Sequence, residues 1–300
     1  MTATSLTRPV RTDGLLLVVA LTAVSTSGPL IAATAVPALA IAFWRNAMAS
    51  AVLVPAVLLT ARAELAGLDR RERRLALVAG ALLALHFVTW VPAVTMTTVA
   101  SATALVATQP VWAALIARLR GESVGRRVWL GIGVAVAGAL LLTGADLAVS
   151  GTALLGDGLA VLGGLFAAGY MVAGSEIRRS VSTTTYTAVC YTVTALLLLV
   201  VCVAGRQALS GYAAEDWLKL LALTAGAQLL GHSLFNVVLR TMSPTLVSLT
   251  LLFEIPGAAL VALVFLGQQP PLLAVPAAVL LVAGLALVIS DRTEPSIPVE

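Results

Sequence analysis

The stretch SPTLVSLTLLFEIPGAALVALVFLGQQ, Ser243 to Gln269, sets a carboxylate, Glu254, and a proline, Pro256, inside an apolar run long enough to cross a bilayer. Pro256 brings no N–H, so the carbonyl of Leu252 loses its intrahelical partner and the helix is expected to bend or open there. An ionised Glu in the middle of a bilayer costs roughly 2.5–3.5 kcal/mol or more, so Glu254 is expected to face protein or water rather than lipid.

The stretch has a counterpart. Thr97 to Ser123, TTVASATALVATQPVWAALIARLRGES, lies over it without a gap when the numbering is shifted by the interval between Pro110 and Pro256. At the same offset Gly121 meets Gly267 and Glu122 meets Gln268; farther away His86 meets His232, Gly28 meets Gly174 and Gly138 meets Gly284. The chain has 2 histidines, and both fall in register. The sequence therefore reads as two copies of one unit, 1–146 and 147–292, followed by a short tail, 293–300.

Composition fixes the solvent. Of 300 residues 60% are hydrophobic and 11% charged, with a mean hydropathy of +1.02, which describes an all-α, polytopic membrane protein rather than a soluble domain. The sequence pI near 9.6 does not imply nucleic acid, because the basic residues sit in short loops without interleaved aromatics. Cys190 and Cys202 stand about 18 Å apart along one helix, too far to pair, and read as buried apolar side chains.

Apolar runs of spanning length are expected at 14–34, 39–61, 75–95, 99–119, 127–145, 157–175, 183–204, 217–239, 245–266 and 272–290: ten transmembrane helices, five per copy. Arg8 and Arg11 before LLLVVALTAV give the first run the look of a signal peptide, but it is too long for one and its removal would break the repeat. With the N-terminus inside, alternate loops place Arg8, Arg11, Arg62, Arg70, Arg71, Arg73, Arg74, Arg118, Arg120, Arg126, Arg127, Arg178, Arg179, Arg240 and Arg292 on the inner side. The outer side receives Arg206 and Lys219, so both termini are expected in the cytoplasm. Five spans is an odd number, so the second copy enters from the opposite face and the repeats are inverted, a construction used by secondary transporters.

Residues able to carry chemistry follow from this frame. Glu254 can meet a cation or ammonium group or accept a coupling proton, or it can serve the helix opening at Pro256. His86 and His232 sit mid-span, each with a partner one turn on, Trp90 and Asn236. Arg45, in FWRNAMA, can hold a substrate carboxylate, snorkel to the outer interface or bind helix carbonyls. Ser25, Ser101, Thr108, Thr250 and Tyr170 have the spacing to line a cavity, although Ser and Thr in spans often bond their own helix. Trp44, Trp90, Trp112 and Tyr170 are candidates for an aromatic wall, and Trp129 and Trp217 for interfacial anchors. Gly131, Gly133 and Gly138, with Gly163 and Gly164, are expected to permit close helix packing. No metal-ligand spacing, phosphate loop or nucleophile with a nearby base occurs, so neither an enzyme, a metal site nor a cofactor is expected.

The segments SATALVATQPVWAALIARLRGE and SLTLLFEIPGAALVALVFLGQ, each followed by a Gly-containing apolar helix, WLGIGVAVAGALLLTG and PAAVLLVAGLALVIS, resemble the drug/metabolite transporter superfamily and within it the ten-span EamA branch. The resemblance covers nearly the whole chain. It implies a carrier of the bacterial cytoplasmic membrane, often an exporter of amino acids or other small metabolites. Gln268 departs from the pattern, which places an acidic residue there; Glu122 keeps it in the first copy. The expected function is a secondary transporter working by alternating access on a small, zwitterionic or amphipathic substrate, with lipid as surroundings, a proton as candidate coupling ion and no nucleic acid partner. The alternative is a non-transporting ten-span scaffold or lipid-binding protein.

Overall fold

A computed structural model describes residues 10–97, 99–143, 151–266 and 273–290. Among the described residues the regular structure is entirely helical. The first half comprises α1 (Val10–Ser25), α2 (Ser27–Ala32), α3 (Ala38–Thr60), the short α4 (Arg62–Gly67), α5 (Arg70–Met96), α6 (Val99–Val106), α7 (Gln109–Leu119) and α8 (Arg126–Thr143). The second comprises α9 (Gly151–Ile177), α10 (Thr183–Ala204), α11 (Ala214–Leu223), a π-helical segment (Thr224–His232), α12 (Ser233–Val238), α13 (Pro244–Thr250), a 3₁₀ turn (Leu251–Phe253), α14 (Glu254–Leu266) and α15 (Ala274–Ile289).

Helix occurs at each of the ten expected places. Among the described residues 7 helical runs are long and apolar enough to cross a membrane: Thr12–Ala32, Ala38–Thr60, Arg70–Met96, Ala102–Leu119, Gly151–Ile177, Thr183–Ala204 and Ala214–Val238. Pro244–Ala258 and Val275–Ile289 are shorter apolar helices. The outer surface carries Leu59 at 85% exposure, Leu119 at 86% and Val275 at 74%, a surface that water would penalise and a bilayer solvates. This is a multi-pass membrane protein.

Prolines interrupt the spans, two of them, Pro110 and Pro256, at the positions the repeat shares. Pro256 is preceded by the 3₁₀ turn Leu251–Phe253, and Pro110 sits in the first turn of α7, after a break at residues 107 and 108. The first span breaks at Thr26, three residues before Pro29. The π segment in the eighth span has no counterpart in α5, which is regular, and no sequence signal pointed to it. Such widened turns concentrate at functional sites.

Helix pairing follows the repeat. α3 packs on α10 and α8 on α15, each pair joining equivalent helices of the two copies, while α7 packs on α13, the counterpart of α6, and α6 on α14, the counterpart of α7. α5 lies along α9, and α1 lies along the π segment and α12, the same pairing with the copies exchanged. Most buried apolar residues form one core running through α1, α3, α5, α9, α10 and α12; a second, smaller one lies between α8, α13 and α15.

The α8–α15 crossing depends on glycine. A Cβ on Gly131 would lie 2.6 Å from the carbonyl oxygen of Gly284, and one on Gly138 would lie 2.9 Å from that of Ala277. Contacts thus advance along α8 as they recede along α15, so the two helices are antiparallel. The two contacts also exchange when 131 and 138 are replaced by their repeat equivalents, 277 and 284. Gly133 does not share this role: nothing lies within 4 Å of its missing Cβ, because it faces outward.

Candidate functional site

Where the copies meet, α1, α2, α5, α6, α7, α9, α12 and α14 enclose a cavity of about 40 Å³, water-sized as it stands. Its wall includes Glu254, His86, His232, Trp90, Asn236 and Tyr170, six of the residues singled out above. The first copy contributes His86 and Trp90 and the second the other four, so the site belongs to neither copy alone.

Local geometry fixes each group. His86 uses Nδ1 on the Gly163 carbonyl at 3.0 Å; a carbonyl only accepts, so Nδ1 carries the proton and Nε2 is left with its lone pair in the neutral ring. The ring stacks on Trp90, 5.8 Å between centroids with 7° between planes. Gly163 and Gly164 make this approach possible: a Cβ on Gly163 would stand 3.2 Å from the Cβ of Trp90, and one on Gly164 2.7 Å from the Val106 carbonyl oxygen. His232 does not touch His86 directly. Its ring meets Phe87 edge-on at 5.8 Å, and Phe87 in turn lies 4.9 Å from the His86 ring.

Asn236 is oriented by its own helix. Its Nδ2 donates to the His232 carbonyl at 2.9 Å and to the Tyr170 hydroxyl at 2.6 Å, so its Oδ1 is the free atom; it has no hydrogen-bond partner among the described residues. Gln109 Oε1 and Trp90 Nε1, buried in the same wall, are likewise without partners, and the Glu254 carboxylate makes no hydrogen bond or ion pair there. Unpaired buried polar atoms are costly and mark a place where a ligand or water completes the shell.

Arg45 stands elsewhere. It is fully buried and lies outside the cavity wall, with Nε donating to Gln228 Oε1 at 2.9 Å, Nη1 to Ser27 Oγ at 3.4 Å and the guanidinium carbon 4.5 Å from the centre of the Phe87 ring. Gln228 continues to Asn46 Oδ1 at 3.1 Å. Of the three roles open to it, the snorkel to the outer interface is not the one adopted: Ser27 and Gln228, the latter held by Asn46, solvate the guanidinium internally. The π segment brings Gln228 and His232 to this network and to the cavity from one helix.

Several expected lining groups are turned away. Ser25 Oγ donates to the Leu21 carbonyl, Thr108 Oγ1 to that of Leu105 and Thr250 Oγ1 to that of Val247, the back-bonding that Ser and Thr favour inside helices. The Ser101 side chain lies outside the described residues, as do Gln268 and the tail 293–300. The aromatic wall divides: Trp44 packs on Trp217 at 5.0 Å, near Tyr212, and donates Nε1 to the Leu209 carbonyl at one rim, while Trp90 and Tyr170 stay at the cavity. Sequence reading passed over Ser27, Gln109 and Gln228. The first two are amphipathic residues beside helix breaks, and that position was the available signal.

The two ends of the bundle differ. At the arginine-poor end Thr34 Oγ1 donates to Asp216 at 2.9 Å and Lys219 Nζ to the Ala33 carbonyl at 2.8 Å, tying the two copies together. At the arginine-rich end Ser180 Oγ donates to Glu72 at 2.6 Å, and Arg71 and Arg120 both pair with Glu176. Thr34 and Ser180 are repeat equivalents, so like residues fasten opposite ends. Beside the second fastening opens a vestibule of about 270 Å³ lined by Arg120, Glu122, Glu176, Arg179 and Arg240, and Leu239 lines both this space and the central cavity.

A helical membrane bundle of two alike halves with a polar cavity at their junction is a transporter architecture. A model of the EamA-like transporter family matches the chain twice, over residues 13–144 and 154–290. The chain therefore belongs to the EamA-like transporter family, within the drug/metabolite transporter superfamily. A solved crystal structure, described only as that of a protein, shares the fold, with a TM-score of 0.76 and 20% identity, covering 92% of this chain and 96% of that one. None of the curated proteins matches.

Proposed function

We propose that this chain is a secondary carrier that moves small metabolites, amino acids among the candidates, out across the bacterial cytoplasmic membrane by alternating access. The two halves, 1–146 and 147–292, act as inverted five-helix repeats making ten spans, with both termini in the cytoplasm. Three things support the inversion: the antiparallel α8–α15 crossing, the exchange symmetry of the helix pairs, and the charge asymmetry of the loops. The observation that carries the reading is the junctional cavity, walled by both copies, with Leu239 lining both it and a vestibule at the arginine-rich end.

A lipid-binding scaffold would favour a midplane packed with apolar groups, whereas Gln109 and Asn236 hold unpaired buried acceptors there beside Glu254. The test is purified protein in proteoliposomes: counterflow of a labelled amino-acid and amine panel, together with thiol labelling of the cavity positions Leu239→Cys and Leu251→Cys from each side. Counterflow that vanishes with Glu254→Gln, and labelling whose side changes with substrate, would bear out alternating access. Fixed labelling and no flux of any panel member would replace the carrier with the scaffold.

A further inference from the structure

The polar groups around the central cavity are unbalanced in a way that selects a ligand. The buried acceptors without a protein partner are Gln109 Oε1 and Asn236 Oδ1; Glu254 adds a half-buried carboxyl group with no hydrogen bond or ion pair among the described residues, and His86 in its neutral form adds Nε2 once Nδ1 is committed to Gly163. Facing them, Trp90 Nε1 is the unpaired buried donor among the described lining residues. Besides these the wall holds Ser27, whose Oγ accepts from Arg45, the Tyr170 hydroxyl, which accepts from Asn236, and the His232 ring; the remainder is apolar. A carboxylate entering this space would meet acceptors and leave them unpaired, whereas a group with several N–H donors and a positive charge would satisfy them together and offset the cost of a carboxylate away from water.

From this we propose that the cavity is a site for the primary ammonium group of a small apolar amine, gripped by Glu254, Gln109 and Asn236, with the amine's hydrocarbon part against Trp90 and Met171. The proposal deepens the carrier reading by naming the class of its cargo, and it displaces a zwitterion as the preferred ligand. Arg45 is the reason: its guanidinium lies outside the wall, behind Ser27, with Nε on Gln228, Nη1 on Ser27 and only the buried Nη2 without a partner among the described residues, so a substrate carboxylate finds no cation in the wall itself. Its charge acts on the site only from behind, weakening any cation bound there. Removing it should therefore tighten amine binding, the opposite of what a carboxylate-holding arginine would do.

The experiment measures binding, so its failure is distinct from failure of transport. Detergent-purified wild-type protein is treated with a hydrophobic carbodiimide, and the share of the Glu254 peptide left unmodified is quantified by mass spectrometry, the N-acylurea and the amide that an amine protectant forms with the activated carboxyl both being counted as modified. Butylamine, 2-aminobutyrate and butyrate, of equal carbon count and different charge, are compared as protectants, with sodium chloride as the inorganic control. The expected result is protection by butylamine at a concentration at least tenfold below that of either carboxylate, and a further several-fold gain in Arg45→Met. Equal protection by 2-aminobutyrate, protection by sodium alone, no protection by the amine, or its loss in Arg45→Met would each overturn the assignment. Thermal stabilisation of wild type by butylamine, absent in a folded Gln109→Leu variant, is the second readout. Binding without counterflow would leave this site standing while removing the carrier reading; counterflow of a carboxylate alone would do the reverse.

Discussion

Replacing Gly284 by alanine should damage this protein, although alanine is the better helix former. The Cβ would sit 2.5 Å from the Gly131 carbonyl oxygen, 2.6 Å from the Ala135 Cβ and 2.7 Å from the Ala135 nitrogen. Each falls roughly 1 Å short of an ordinary contact. Two of the three atoms are main chain and cannot swing aside, so α8 and α15 must part along their crossing. Overpacking of a well-packed contact costs about 1–3 kcal/mol. The gain in helix propensity returns about 1 kcal/mol. With backbone atoms in the way the upper end applies, and a net loss of about 2 kcal/mol is expected. Gly133→Ala, on the same α8 but facing outward, has nothing to strike and should be neutral or gain up to about 1 kcal/mol. The double variant Gly131→Ala/Gly284→Ala should cost less than the sum of its parts, because one parting of the helices relieves both contacts. Unfolding in mixed micelles by titration with dodecyl sulfate, followed by tryptophan fluorescence, measures all four. A Gly284→Ala protein as stable as wild type, or a Gly133→Ala protein equally harmed, would refute the crossing described here.

Three further outcomes follow. Ser182 caps α10, its Oγ accepting from Thr185 N at 3.3 Å, and Ser182→Ala should lower stability by about 1 kcal/mol in the same titration. Glu64, on α4 between spans, is pushed up by partial burial, but hydrogen bonds from the hydroxyls of Ser182 and Thr185 and from the Ser182 N–H outweigh this and hold its pKa below the ordinary 4.5. A depressed carboxylate stabilises the fold above its unfolded pKa and ceases to as pH falls through the folded value, so the stability difference between wild type and Glu64→Gln should be present at pH 7 and fade below about 4.3. Gln228→Leu takes the acceptor from Arg45 Nε and should cost about 2–3 kcal/mol. Adding Arg45→Met should recover most of that loss; a double variant worse than the single would mean that the guanidinium is not held by this network.

Much of the fold could be read from the chain because its signals are long and repeated. Pro110 and Pro256, His86 and His232, and Gly138 and Gly284 share one offset, and apolar runs separated by basic loops leave little freedom in placing helices. Proline also foretold the opened turn at Leu251–Phe253, since a missing N–H acts locally. The site was harder. Six of the candidates do line the cavity, but Ser25, Thr108 and Thr250 bond their own helices, a choice decided by rotamer and not by spacing. Arg45 was misplaced for a similar reason: its solvation depends on Gln228, and Gln228 reaches it through a π segment that the apolar periodicity of the eighth span does not encode.

That π segment, together with Arg45, has no twin in the other copy: the equivalent of Arg45 is Tyr191, whose hydroxyl meets Ser233 at 3.4 Å. Two identical inverted halves trading shapes would pass between states of equal free energy related by a two-fold rotation, and the resting molecule would open to either side half the time. With a charge and a widened turn on one side of that exchange, the degeneracy is lifted. For the carrier proposed above, the idle protein would then have a preferred facing, written into the parts of the sequence where duplication was not preserved.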